Sequence, residues 1–323
     1  MVYLDYLNRI IPAYILKENS QLNFWHEEPE VNPDSFKGGI DEYYMTFFEK
    51  AGYRGPFDGN GIPLLDYKGK IGLQHNPIAI AQYGIGNFNL YKQKCKKDYL
   101  DKALKAADWL KDNLKKNKFG LGVWNHNFDW EYRSVLKAPW YSALSQGQGI
   151  SLLVRVYVET GKSEYAKTAS AAFKSLLVEI GEGGVLFIDE NNNRWLEEYI
   201  SNPPTHILNG FIWALWGVYD YFLLTKEKSA ARLWDECLKT LKNNLEKFDI
   251  EYWSLYDLSA VKMKNIASLF YHKLHIVQMD VLYRLSGIGV FKEYNNKWKV
   301  YLNSTFNKSR AYCSKAIFKL RYF

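Results

Sequence analysis

The alternation of apolar and polar positions divides the chain near residue 75. Residues 1–75 hold no sustained period and include a turn-rich stretch, GYRGPFDGNGIPLLDYKGK at 52–70. Beyond it four strongly apolar segments recur: NPIAIAQYGIGNFNLY, APWYSALSQGQGISLLVRVYV, PPTHILNGFIWALWGVYDYF and SLFYHKLHIVQMDVLYRLSG. The first three open near Pro77, Pro139 and Pro204, as suits proline in a first helical turn. Their glycines align at Gly84, Gly147 and Gly210, each 63 residues after the last, and Ser268 opens the fourth segment about one period later. Between them lie amphipathic segments with charged outer faces, such as DYLDKALKAADWLKDNLKK and SAARLWDECLKTLKNNLEKF.

Repeated pairs of one apolar and one amphipathic helix bury their shared face only against neighbouring pairs. The apolar helices belong inside and the amphipathic ones outside. The pattern therefore predicts a mainly all-α fold: an incomplete α/α toroid of about four helical hairpins. Residues 76–323 form the barrel and residues 1–75 a short irregular or β N-terminal segment. The connections FGLGVWNHNFDWEYR, GGVLFIDENNNRWLEEY and EYWSLYDLSAVKMKN follow outer helices and should emerge at one end. Three inner helices carry an amide beside the aligned glycine: Gln82, Gln146 and Asn209. A buried amide needs a partner, and three in register favour a polar cavity at the axis.

Composition sharpens this picture in one respect. Aromatic residues make up 17% of the 323, with 25 Tyr and 11 Trp. Rings with a polar handle suit half-apolar, half-wet surfaces such as those that meet sugars, although an aromatic helical core would also use them. The net charge of +7 favours an anionic ligand without specifying one. The basic run YKQKCKK at 91–97 reads as a solvated helix end, and no nucleic-acid motif accompanies it. Cys95, Cys237 and Cys313 lie far apart outside any CxxC, which argues against disulfides and a thiolate zinc site. The apolar run HILNGFIWALWGVYDYFLL at 206–224 is interrupted by Asn209 and Asp220, so it reads as a buried helix and not a membrane span. The first 20 residues carry acids and tyrosines where a signal peptide would be basic and then apolar, which leans toward a cytoplasmic protein.

The connections hold the chemistry. WLEEY at 195–199 places Glu197, Glu198 and Tyr199 before an inner helix, and LYDLS adds Tyr256. The fourth inner helix begins with Tyr271, His272 and His275, and the first connection supplies Arg133 and Lys137. No HExxH, GxSxG or Walker sequence is present; His272 and His275 would need a further ligand to hold a metal. A tyrosine near cations can serve as acid or base. Its high reference pKa suits a carbon-bound proton beside a carboxylate, hence a uronic acid. The resulting enolate-like dianion demands positive charge or strong donors at the carboxylate. Lys262, Lys264, Lys273, Arg133 and the two histidines are the candidates.

The segments IAQYG (80–84), WYSALSQGQGISLLVRVY (140–157), EEY (197–199), LNGF (208–211) and YDL (256–258) resemble the helical catalytic domain of D-glucuronyl C5-epimerases. Those enzymes convert D-glucuronate to L-iduronate within a polysaccharide, heparosan in animals. The resemblance runs from about residue 61 to the C-terminus. It implies two-base epimerisation without a cofactor, a glucuronate-containing polysaccharide as partner, and proton transfer by Glu198, Tyr256 and Tyr271 with Tyr199 beside them. Tyr83, Trp140, Tyr141, Gln146, Gln148 and Asn209 in the matching segments become substrate-binding candidates, with Arg133, Lys262, His272, Lys273 and His275. The β-rich domain of the animal enzymes has no counterpart here, so any substrate wall or dimer contact it makes would fall to residues 1–75 or be absent; a homodimer stays open. Ser259 stands where the animal enzymes have arginine, so either Lys262 or Lys273 compensates or the substrate differs. A polysaccharide lyase sharing the first proton abstraction is the alternative reading, with a glycoside hydrolase or a non-catalytic sugar-binding protein as further rivals.

Overall fold

The computed structural model describes residues 21–322, so the reading of the first 20 residues lies outside the described part. Residues 21–75 carry only short elements: α1 (Gln21–Trp25), α2 (Phe48–Ala51) and a hairpin of β1 (Leu65–Asp66) with β2 (Leu73–Gln74). Helical pairs follow. Inner helices α3 (Pro77–Lys94), α5 (Ala143–Thr160), α7 (Leu208–Thr225) and α9 (Leu269–Ser286) alternate with outer helices α4 (Lys97–Asn113), α6 (Ser163–Phe173), α8 (Lys228–Asn244) and α10 (Gly289–Asn303). This is the incomplete α/α toroid expected from the pattern. The division between inner and outer follows from what each helix can bury. Every residue of α3 from Pro77 to Leu90 is buried, whereas α4 buries only Ala103, Ala106, Ala107 and Leu110.

Gly147, one of the aligned glycines, and Gly217, which is not, explain how closely α5 and α7 approach. A Cβ at Gly147 would lie 2.4 Å from Ala214 Cα, and one at Gly217 would lie 2.4 Å from Gly147 Cα. Both distances are far below van der Waals contact, so α5 and α7 can touch along their backbones only with hydrogen at these positions. Proline placement differs from expectation. Pro77 does stand at the first turn of α3, with Asn76 accepting from the N–H groups of Ile78 and Ala79. Pro139 and Pro204 instead precede their helices by four residues; α5 begins behind Ser142, whose Oγ accepts from Ser145 N at 3.0 Å.

Residues 21–75 are packed into the barrel, and Tyr43, Tyr44 and Phe47 belong to its hydrophobic core. Asn89 of α3 accepts from Tyr43 N at 2.8 Å and donates to Met45 O at 2.9 Å and Thr46 O at 3.1 Å. Tyr44 Oη donates to Asp220 Oδ1 at 2.6 Å, and the same carboxylate receives the guanidinium of Arg155. The two buried charges are thus paired and hydrogen-bonded, as burial requires. Asn89→Ala strands the Tyr43 N–H and the two carbonyls in the core, and should cost about 1–3 kcal/mol in urea unfolding.

Two features lay beyond the fourfold pattern. Short hairpins, β3 (Lys115–Lys116) with β4 (Gly122–Val123), β5 (Trp130–Glu131) with β6 (Val135–Leu136), and β7 (Leu186–Ile188) with β8 (Arg194–Leu196), stiffen the connections. A last helix, α11 (Thr305–Tyr322), lies across the connection before α9: Met263 N donates to Tyr322 Oη at 3.2 Å, and Arg310 sits 3.7 Å over the Tyr252 ring. Among the described residues no helix is long and apolar enough to cross a membrane.

Candidate active site

Backbone pairing brings three connections together at one end of the barrel. The β7–β8 hairpin runs directly into Glu197, whose carbonyl accepts from Ala143 N at 2.9 Å and whose N–H donates to Val185 O at 2.9 Å. Leu258 N donates to Thr205 O at 2.9 Å, Leu208 N to Tyr256 O at 3.1 Å and Tyr256 N to Asn265 O at 2.8 Å. Glu198, Tyr199 and Tyr256 therefore sit on chain segments stapled to the start of α7. Tyr271 comes from the first turn of α9, where Ser268 caps its N–H. In the first connection Tyr132 donates to Asp257 from the tip of the β5–β6 hairpin, and Arg133 donates to Asp257 Oδ2 at 3.3 Å and to Ser259 Oγ at 3.2 Å.

These segments enclose a cavity of about 390 Å³, of a size that takes small ligands. Glu198, Tyr199, Tyr256 and Tyr271 all line it, with Tyr132 from the first connection. Its walls include Trp130, Trp140 and Trp213, and Lys315 and Lys319 enter from α11. The rings of Tyr256 and Tyr271 lie 4.7 Å apart edge to face, and Tyr199 lies 4.7 Å from Tyr132 and 5.7 Å from Trp140.

Burial sets the electrostatics. Glu198 is pushed up to about 8, first by desolvation and then by Glu197 and Asp257, with the Tyr199 phenol pulling the other way. Its Oε2 is buried without a hydrogen-bond partner. Burial, reinforced by neighbouring acids and phenols, also holds Tyr132, Tyr199 and Tyr256 well above the ordinary phenol value. Desolvation lowers Lys315 to about 7 and Lys319 to about 8, aided by the cations around them. Glu198 thus ionises at about 8 in a cavity where Tyr132, Tyr199 and Tyr256 keep their protons.

Comparison with known proteins gives these residues a lineage. Residues 116–300, more than half of the chain, match the family described as D-glucuronyl C5-epimerase C-terminus. The chain belongs to that family. It is 32% identical over 180 residues to an uncharacterized protein of Methanocaldococcus jannaschii, covering 55% of this chain and 57% of that one. It is 30% identical over 211 residues to the D-glucuronyl C5-epimerase of Caenorhabditis elegans, covering 60% of this chain and 33% of the worm protein. The chain thus spans less than two thirds of either relative. In fold it is similar to a cellobiose 2-epimerase from Bacillus thermoamylovorans, with a TM-score of 0.57 and 11% identity over 93% of this chain and 87% of that one.

Within this D-glucuronyl C5-epimerase family member, several residues expected at the cavity stand elsewhere. His272 and His275 are fully buried beneath it: both Nδ1 atoms meet Ser254 Oγ, at 2.8 and 2.9 Å, and His272 Nε2 meets Trp298 O at 3.1 Å. Desolvation lowers both well below the usual imidazole range. No cluster of three metal-ligating side chains occurs among the described residues. Lys262 and Lys264 are exposed, and Lys273 pairs with Glu28 at 2.7 Å on the surface. Lys137 pairs with Asp129, also exposed. Gln146 is a packing residue, accepting from Trp124 N and donating to Gly122 O, Ala172 O and Ser175 Oγ. Gln148 donates to Tyr43 Oη, Tyr141 to Gly183 O, and Tyr83 packs edge-on against Phe57. Gln82 is buried away from the cavity. The amides in register therefore do not line one polar axis; Asn209 alone of the three reaches the cavity. Trp140 lines it as well, whereas Arg133 stands behind Tyr132.

Sequence reasoning passed over Tyr132, Trp130, Lys315 and Lys319. Tyr132 adjoins Arg133 in DWEYR and could have been read with it. The two lysines stand four apart in SKAIFKL, a same-face spacing, but nothing in the sequence says where that helix docks.

Proposed function

We propose that the protein inverts C5 of D-glucuronate residues to L-iduronate within a polysaccharide. The observation that carries this reading is the meeting of Glu198, Tyr199, Tyr256 and Tyr271 in one aromatic-walled cavity that also receives lysine. The C5 hydrogen lies beside the sugar carboxylate. Removing it as a proton leaves its electron pair to delocalise into that carboxylate as an enediolate dianion. A proton delivered to the opposite face remakes the C–H bond with inverted configuration. Electrons balance, so the step needs no oxidant or reductant.

The ionisation order supports roles for the groups. Glu198, at about 8, is the group whose carboxylate form is accessible near neutral pH, and it lines the cavity. Tyr199 and Tyr256 hold their protons and so begin as acids. Glu198 takes the C5 proton, and a phenol, Tyr256 or Tyr271, supplies the opposite face. Proton return from Glu198 to the phenolate, with Tyr199 adjoining, resets the site. Positioned acids and bases of this kind contribute about 10²–10⁴-fold. Tryptophan and tyrosine walls suit the apolar faces and hydroxyl edges of sugar rings.

A glycoside hydrolase needs two carboxylates, and the candidates besides Glu198 are engaged: Glu197 by His206, Asp257 by Tyr132, Arg133 and Asn265, and Asp189 by Asn193 and Trp195. Product analysis tests the reading. Incubation with a glucuronate polymer such as heparosan is expected to yield iduronate at unchanged chain length. Shortened chains with an ultraviolet-absorbing unsaturated end would identify a lyase instead, and shortened saturated chains a hydrolase.

A further inference from the structure

A cation at the substrate carboxylate stabilises the enediolate, and the surroundings of the cavity narrow the choice. Arg133 is committed to Asp257 and Ser259. Lys262 and Lys264 are exposed, and Lys273 pairs with Glu28. His26 lines the cavity, but burial drops it to about 4, so it is neutral near pH 7. Lys315 and Lys319, one helical turn apart on α11, are the lysines among the described lining residues.

We infer that Lys315 binds the uronate carboxylate and neutralises the dianion formed from it; the assignment rests on the epimerase reading above. Lys315 Nζ donates to Asn265 Oδ1 at 2.8 Å and to Ile266 O at 2.7 Å, and lies 5.7 Å from the centre of the Tyr256 ring. An ammonium has three N–H donors, so two fix its position and the third is left for a ligand beside the reacting group. Helix α11 is itself held: Arg133 stacks 4.9 Å from Phe318, and Met263 N donates to Tyr322 Oη. The desolvation that lowers Lys315 to about 7 is opposed by the charge of an arriving anion, which favours the ammonium form. Lys315 lies outside residues 116–300, so family membership alone does not assign it.

The test compares binding of two probes, a heparosan hexasaccharide and its carboxyl-reduced counterpart, to wild type, Lys315→Met, Lys315→Arg and, as a surface control, Lys262→Met. Lys315→Met is expected to weaken binding of the uronate probe about 10- to 100-fold with binding of the reduced probe unchanged, and to slow C5 exchange. Lys315→Arg should retain most of the uronate affinity, showing that charge and not the fold was removed. Equal affinity of Lys315→Met and wild type for the uronate probe overturns the inference, as does an equal loss for both probes. A selective loss of uronate affinity in a protein whose wild type exchanges no C5 hydrogen would leave Lys315 as the carboxylate anchor and defeat the epimerase reading.

Discussion

Glu198→Gln is expected to slow C5 proton exchange by about 10²–10⁴-fold while leaving polysaccharide binding within a few-fold of wild type. Near neutral pH Glu198 is largely protonated, so an isosteric neutral amide reproduces its ground-state shape and removes only the proton-accepting carboxylate. The pH dependence follows from the same residue. As a base it must be deprotonated, so taken by itself it makes kcat/KM rise as pH rises toward about 8. Lys315 must be protonated and lies near 7 in the free protein, which draws the profile down on the alkaline side. Together they give a bell with its maximum between about 7 and 8. Stability carries the opposite sign for Glu198. Its folded-state pKa is raised, so its contribution is complete below the unfolded value of 4.5 and is lost as pH rises through about 8. Glu198→Gln should abolish that alkaline loss, making the inactive variant the more stable protein above pH 8. A wild-type turnover rate in Glu198→Gln would remove the carboxylate from the reaction.

Gly210→Ala should be nearly as damaging to activity, for a steric reason. A Cβ at this position would lie 2.0 Å from Glu198 Oε2 and 2.8 Å from Glu198 Cβ, so the carboxylate must leave its place. Glu198 sits in the buried wall between its own connection and α7, and a forced shift there costs about 1–3 kcal/mol of stability. The activity loss should approach that of Glu198→Gln, with a lowered melting temperature that Glu198→Gln does not show. The pair is testable as a cycle: in a Glu198→Ala background the stability penalty of Gly210→Ala should shrink, because the clashing carboxylate is gone. An unchanged penalty in that background would place the strain elsewhere.

Gly210 also shows how much of the molecule was legible in the sequence. The three glycines 63 residues apart each fall inside an inner helix but at different turns, Gly84 as the eighth residue of α3, Gly147 as the fifth of α5 and Gly210 as the third of α7, whereas the contrast of apolar and amphipathic segments correctly separated inside from outside. The pattern is local and repeated, so it survives in one sequence. The identity of what each glycine makes room for does not: Gly84 meets Leu152, Gly147 meets α7, and Gly210 meets the Glu198 carboxylate. The amides beside them misled for the same reason. Gln146 is spent on the backbone of the β3–β4 hairpin and on Ser175, partners from distant positions that no spacing announces.

At the site, residues next to a chain break were readable and residues delivered by docking were not. Glu198, Tyr199, Tyr256 and Tyr271 lie in connections or first turns, where polar and aromatic groups have no packing reason to cluster. His272 and His275 share that neighbourhood in sequence, yet one helical turn carries them under the cavity onto Ser254. The cations were misjudged because charge on a short loop looked close, whereas Lys315 and Lys319 reach the cavity only through the tertiary docking of α11.

The fate of the hydrogen at C5 decides whether this protein is an epimerase. Heparosan incubated with the protein in deuterated water, then read by proton NMR, should lose glucuronate H5 intensity, gain deuterium at C5 and show iduronate signals. Retention of every C5 hydrogen, across heparosan and other glucuronate polymers, would contradict it.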